Sequence, residues 1–222
     1  MVLNVLIACE ESQTECMAFR DLGHNAFSCD IQPVKRTRFP QYHILGDVTP
    51  YLKGKHRFPV QSGEWKKVPR WDLIIAHPPC TYLAKVGSMW LYEDANFNAW
   101  VNGTRLKVNL DRFAQMVVAR RFFLDCLNAT AKYVAVENPI PMRIANLPAP
   151  STYIDPSGFG EPWTKKTLLW LRNLPPLMNV INEPTPRSFV HCSRGKYRSR
   201  SFPGVAKAMA AQWSDYILKM EG

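Results

Sequence analysis

Several features that would fix the class of this chain at once are missing from it. None of its six cysteines (Cys9, Cys16, Cys29, Cys80, Cys126, Cys192) stands in a C-x-x-C pair, so neither a zinc ribbon nor a redox dithiol is expected, and no metal site. No apolar run approaches the roughly 20 residues that cross a bilayer. The opening stretch Val2 to Ala8 lacks a basic flank and runs straight into Glu10 and Glu11; it is not read as a signal peptide, and a cytoplasmic location is expected. Glycine is absent where a nucleotide-binding loop would use it, since Cys9-Glu10-Glu11-Ser12-Gln13-Thr14 follows the first apolar run. Acidic residues are absent between Glu183 and Asp215. There is no internal repeat and no low-complexity tail.

What is present is a chain of 222 residues, expected to form one domain over 1–222, long enough to bury roughly 70% of its unfolded surface. Lys and Arg number 28 against 18 Asp and Glu, a net +10, which suits a polyanion such as DNA. The stretch free of acids carries Arg187, Arg194, Lys196, Arg198, Arg200 and Lys207. Phe189, His191 and Tyr197 are interleaved there, a pattern that binds phosphate and stacks on bases, though a solvated basic face has the same composition. Lys53 to Arg70 is also basic and rich in turn residues, and is expected as an exposed loop or irregular hairpin rather than core.

Strands and helices alternate. Val2 to Ala8 reads as a buried strand, Thr14 to Leu22 as a helix stopped by Gly23, and Asn25 to Ile31 as a second strand. Trp71 to Ala76 is a third, Phe113 to Ala129 a helix, and Tyr133 to Val136 and Thr167 to Leu171 two more strands. Ala145 to Pro156, dense in Pro, Ser and Ala, is expected to cross the surface, and Val205 to Lys219 to close the fold as an amphipathic helix. This alternation predicts an α/β fold with a mostly parallel, doubly wound, Rossmann-like sheet.

In such sheets ligands sit beyond the carboxyl ends of the strands. The loops expected there are Cys9 to Thr14, the end of the second strand at Asp30, His77-Pro78-Pro79-Cys80, and Glu137-Asn138-Pro139. An acid after the second strand is placed to grip ribose hydroxyls, which gives Asp30 that role, although an Asp after a strand is also a common turn former. Two prolines stiffen the chain before Cys80. A thiol is suited to adding to C6 of a pyrimidine, and a carboxyl group near N3 is suited to receive the electron density pushed into the ring. Glu137 can supply that carboxyl. Cys16, Cys29 and Cys126 read as small buried hydrophobes.

Pro79-Cys80 and Glu137-Asn138, in this order and at the ends of neighbouring strands, resemble the DNA cytosine-5 methyltransferase family, as a compact and divergent, phage-type member. Gly46-Asp47 resembles the family's acid near the cofactor adenine. Gly158-Phe159-Gly160 leading to Lys165-Lys166-Thr167 resembles the segment that contacts the target base and the nucleophile loop. Departures accompany these matches: no glycine-rich loop, Thr81 after the cysteine, Pro139 after Glu137-Asn138, and Lys165 and Thr167 where arginines are usual.

The resemblance implies a Rossmann-like methyltransferase fold and S-adenosylmethionine as cofactor, held by Cys9, Glu10, Glu11, Ser12, Asp30, Ile31, Asp47 and Pro78. It implies Cys80, Glu137 and Lys165 as catalytic residues. Pro79, Asn138, Thr167, Arg194, Arg198 and Arg200 would meet a flipped cytosine in DNA. A reduced target-recognition segment would fall at 172–202, and the insertion Val86 to Asn109, with Trp90, Tyr92 and Trp100, would close over the base unless its aromatics belong to the core. A free cytosine nucleotide as substrate and a non-catalytic nucleic-acid-binding protein that keeps the fold are the two other readings.

Overall fold

A computed structural model of the chain describes residues 1–35, 37–93, 107–181, 187–188 and 201–222. In chain order the elements are strand β1 (Asn4–Ala8), helix α1 (Thr14–Asp21), β2 (Asn25–Asp30), β3 (His43–Leu45), α2 (Thr49–Leu52), β4 (Arg57–Pro59), β5 (Trp65–Lys67), β6 (Leu73–Ala76), α3 (Leu110–Leu127), β7 (Tyr133–Asn138), β8 (Thr152–Ile154), β9 (Trp163–Thr164), β10 (Thr167–Arg172), β11 (Arg187–Ser188), α4 (Pro203–Ala208) and α5 (Ser214–Glu221). Short 3-10 turns and a π turn at Met209–Trp213, between α4 and α5, complete the order.

Every residue of β1 and of β6 is buried, as befits parallel strands covered on both faces. Seven strands form one sheet in the order β3-β2-β1-β6-β7-β10-β8. The pairs β2–β3, β1–β2, β1–β6 and β6–β7 are parallel, whereas β10 runs antiparallel to β7 and β8. The order reverses between β1 and β6, which is the switch point where open α/β sheets bind ligands.

Alternate residues of β1 feed opposite layers. Leu6 and Ala8 join Phe27, Ile74, Val134 and Val136 under Phe123 and Cys126 of α3. Leu3, Val5 and Ile7 join Phe19 of α1 with Met209, Trp213 and Ile217 of the closing helical segment. The doubly wound α/β sheet is therefore the one the alternation predicts. Helix α1 ends where Gly23 takes a left-handed φ of 83°. Helix α3 begins three residues earlier than its apolar pattern does, because the Asn109 side chain accepts the Arg112 N–H at 3.0 Å and caps it.

Two expectations are corrected. The segment Lys53 to Arg70 is a hairpin, β4 against β5, but it belongs to the core: Phe58, Val60 and Val68 are all buried, and Phe58 stacks on Trp71 at 5.4 Å and meets Phe27 at 4.9 Å. Its charged residues alternate with these three anchors, so the segment as a whole reads as polar. The crossing 145–156 also ends in an ordered edge strand, β8, which adds to β10. Removing the ring in Phe58→Ala is expected to cost about 3–5 kcal/mol, read from the denaturant midpoint; a loss under about 1 kcal/mol would return the hairpin to the periphery.

Candidate active site

The site begins with strand register. Ala8 pairs with Ala76, and Ala76 with Val136, so the next residues, Cys9, His77 and Glu137, emerge abreast at the carboxyl edge. The His77 N–H extends the pairing by donating to the Ala8 carbonyl at 3.0 Å. On its other flank Glu137 pairs with Leu169 of β10, which brings the preceding Lys165 and Thr167 to the same edge.

The ring of His77 lies between two carboxylates. Its Nδ1 is 3.1 Å from Glu137 Oε2, and its Nε2 is 3.5 Å from Glu15 Oε1. The first is a hydrogen bond; the second is a close ion-pair contact. Glu15 in turn lies against Glu10, whose carboxyl accepts the N–H groups of Glu15 (2.8 Å) and Cys16 (3.3 Å) and the Ser12 hydroxyl (3.3 Å). Burial, then the charge of Glu15, raises the pKa of Glu10 well above the ordinary value. Burial pushes Glu15 upward too, but His77 and the bond from Glu10 outweigh it and its pKa falls. Burial disfavours the His77 cation, yet Glu15 and Glu137 outweigh that and raise its pKa. Along the row Glu10 is thus biased toward its protonated form, Glu15 toward its ionised form and His77 toward imidazolium.

Cys80 ends the rigid turn that leaves β6. Asn138 holds that turn by donating its Nδ2 to the Pro78 carbonyl at 2.9 Å. Two amides, of Leu83 and Ala84, donate to the Cys80 carbonyl at 2.9 Å, and Arg112 of α3 reaches the Thr81 carbonyl at 3.1 Å. The thiol is half-buried; burial and the charge of Glu137 raise its pKa, while Lys165 opposes the rise. Lys165 is steadied by the Thr167 hydroxyl on its carbonyl (3.0 Å) and by its ammonium 5.6 Å from the Phe202 ring. Phe202 is brought there by Gly204, where a β-carbon would fall 2.0 Å from the Phe159 carbonyl oxygen.

Beyond β1 and β2 the character changes. Cys9 turns with a left-handed φ of 62°, and the amides of Cys9 and Glu10 both donate to the Cys29 carbonyl, at 2.7 and 3.2 Å. Asp30 and Asp47 stand beside them, the first accepting the Gln32 N–H at 2.8 Å and the second the Thr49 N–H at 2.9 Å. Burial and these two acids push the Cys9 thiol up to about 12, which leaves it an inert wall. Ile31 is exposed beside Asp30. Buried Gln13 clamps the loop above by bonding both backbone groups of Phe39 at 2.9 Å. In a dinucleotide site the start of α1 would take a phosphate. Here the Glu10 carboxyl already occupies those amides, and Glu11, Asp30 and Asp47 add negative charge. The residues fit a cofactor that presents hydroxyls and positive charge and carries no phosphate, as S-adenosylmethionine does.

No protein-family model and no curated protein matches the chain. Among solved structures, a candidate DNA modification methyltransferase encoded within an E. coli prophage overlaps 82% of this chain at 13% identity with a TM-score of 0.43. The chain spans about half, 52%, of that protein.

The structure brings together Cys80, Glu137, Asn138, Pro78, Pro79, Lys165 and Thr167 at one edge, with Cys9, Glu10, Glu11, Ser12, Asp30, Ile31 and Asp47 on the loops beside them. Four of these are buried, Pro78 and the polar Glu10, Asn138 and Thr167; the three polar side chains bond the backbone of their neighbours. Arg194, Arg198 and Arg200, with Trp100, Phe189, His191 and Tyr197, lie outside the described residues. Of the insertion's other aromatics, Trp90 is exposed and Tyr92 half-buried. Among the described residues no cluster of His, Cys, Asp and Glu is arranged to hold a metal, and no helix is long and apolar enough to cross a membrane.

Sequence reasoning did not find Glu15, His77 and Gln13 as site residues. Glu15 is five residues from Glu10, which would have flagged a helix-capping acid, but nothing in the sequence signals that His77 sits between two acids. A cavity of about 370 Å³ opens at the opposite, amino-terminal edge among Met1, Arg70, Asp72, Lys132 and Glu221. Its charges are already paired, Arg70 with Asp72 at 2.8 Å and Lys132 with Glu221 at 2.6 Å. Because Glu10 accepts two amides at the start of α1 and burial raises its pKa, Glu10→Gln is expected to change stability by less than about 1 kcal/mol, and Glu10→Ala to cost about 1–2 kcal/mol. Equal losses in the two variants on chemical denaturation would contradict that role for the Glu10 carboxyl.

Proposed function

We propose that the chain is an S-adenosylmethionine-dependent methyltransferase that acts on carbon 5 of cytosine in DNA, with Cys80 as nucleophile and Glu137 as the acid at N3. The observation that carries this reading is the convergence at one sheet edge of a half-buried thiol on a proline-stiffened turn, a carboxylate held by hydrogen bonding, a lysine, and an acidic cleft whose helix terminus is closed to phosphate. A net charge of +10 favours a polyanionic substrate.

The Cys80 thiol gives its proton to water and its sulfur bonds to C6 of a base rotated out of the stack, while Glu137, in its protonated form, donates that proton to N3. The thiolate form is scarce at rest because burial and the Glu137 charge raise the thiol's pKa; occupation of Glu137 by the base removes the second of these. Lys165, whose charge lowers the thiol's pKa, stabilises the thiolate. When bound, the cofactor supplies an electrophilic methyl group for C5. Loss of the C5 proton to water, cleavage of the sulfur–C6 bond and return of the N3 proton to Glu137 then leave 5-methylcytosine, and the departing thiolate takes a proton from water to regenerate the thiol. Asp30 and Asp47 would hold hydroxyl and amino groups of the cofactor, and Asn138 keeps Cys80 aligned through Pro78.

DNA containing 5-fluorocytosine tests this directly, because fluorine at C5 cannot leave as a proton and the adduct accumulates. With radiolabelled S-adenosylmethionine, a denaturant-resistant protein–DNA adduct is expected that carries label. Cys80→Ala should abolish it, with transfer reduced by more than about 1,000-fold, and Asp30→Ala should weaken cofactor binding first. Full turnover in Cys80→Ala would exclude covalent catalysis. Label transfer to a free cytosine nucleotide but not to DNA would move the substrate to the nucleotide.

A further inference from the structure

We propose that His77 is a positioning residue that holds Glu137 toward the base and supplies it with the proton it passes to N3, as the link between the buried acids of α1 and the reacting edge. The inference rests on the reading of Cys80 and Glu137 as the reacting pair, and it concerns a residue that neither attacks nor touches the substrate.

The geometry carries it. Register places His77 beside Glu137 without any freedom to slide, since Ala76 and Val136 are paired one residue earlier. The ring gives Nδ1–H to Glu137 Oε2 at 3.1 Å and turns Nε2 to Glu15 at 3.5 Å. A carboxylate bonded on one oxygen keeps its other oxygen for a ligand. The groups facing the ring are Glu15 from α1, Glu137 from β7 and Lys165 from the segment before β10, with Glu10 behind Glu15. The acids outweigh the lysine, and the His77 pKa is raised from 6.5. A raised histidine pKa means that the proton is held below that value and lost as pH rises through it.

The steps balance. The proton on Nδ1 moves to the Glu137 carboxylate, leaving a neutral ring; the carboxylic acid donates to N3 as the Cys80 sulfur adds to C6. On elimination N3 returns the proton to Glu137 and the ring takes it back, so the histidine consumes none. A proton on Glu137 also removes the negative charge that raises the Cys80 pKa, and so one transfer readies both the acid and the nucleophile. Glu15, 3.5 Å from Nε2 and with its own pKa lowered, favours the charged ring between turnovers.

The test has two arms on the full chain. Nitrogen-15 NMR of the histidine rings, with His77 assigned by its loss in His77→Asn, should show His77 titrating above the ordinary histidine value of 6.5 in the resting protein and at a lower pH in Glu15→Gln. A His77 that titrates at or below 6.5 in the unsubstituted protein overturns the inference. In the kinetic arm, His77→Asn retains a donor to Glu137 but has no proton to give. It is expected to lower kcat about 100-fold with KM for DNA nearly unchanged, and to remove from the pH profile the limb lying above the ordinary histidine value. Unchanged kcat and an unchanged profile overturn it. Absence of methyl transfer by the unsubstituted protein would defeat the methyltransferase reading instead, while the NMR arm would still decide whether the ring is charged by its two acids.

Discussion

Ala8, Ala76 and Val136 stand side by side in three parallel strands, and everything at the reacting edge follows from the height at which the chain leaves each one. A shift of one residue in any of these pairings would turn the following side chain to the other face of the sheet. Cys9, His77 and Glu137 would then no longer share an edge. The register is held by burial on both faces: β1 and β6 have no exposed residue, so a slip would carry fully packed aliphatic side chains into the wrong layer. A precise alignment of polar groups is therefore maintained by apolar contacts made well away from them.

The polar groups themselves work against folding. Three carboxyls and an imidazole in a water-poor edge are costly, and a buried ion pair rarely repays its desolvation. The fold limits the cost in two ways. Glu10 accepts amides at the start of α1, and the His77 ring lies between Glu15 and Glu137, at 3.5 and 3.1 Å, so that the acids are separated by a basic group. Such an arrangement makes sense as a device for holding a proton near a reacting group. The same Glu10 occupies amides at the start of α1 that a phosphate would otherwise take, which ties the electrostatics of the His77 row to those of the neighbouring loop.

The two halves of the edge differ in stiffness. Around Cys80 the backbone is fixed by consecutive prolines, by Asn138 on Pro78 and by Arg112 on Thr81. Asp30 ends β2, whereas Asp47 sits on the loop after β3, which the Gly46 N–H ties to the Asp30 carbonyl at 2.9 Å, with Gln13 clamping the loop above. A nucleophile must be aimed to within fractions of an ångström, whereas a cofactor can be gripped by several weaker contacts. The cavity at the far edge, with its charges paired among themselves, has neither feature.

The alternating apolar runs and the Gly23 stop were legible because parallel strands and amphipathic helices impose local periodicities that a linear reading can detect. Pro78-Pro79-Cys80 and Glu137-Asn138 were legible because proline stiffness and side-chain chemistry are carried by the residues themselves. The hairpin at 57–67 was misjudged as peripheral because its three apolar anchors are outnumbered by solvated charges, and short β3 and β8 passed unnoticed because three residues show no period. Glu15 was hidden in a helix and His77 in a turn. Composition and local pattern by themselves determined the fold class, the carboxyl-edge loops and the thiol–carboxylate pair. Only the tertiary structure decided that Glu10, Glu15, His77 and Glu137 form a row, because that depends on strand register and on burial from water, and both are properties of residues far apart in the chain.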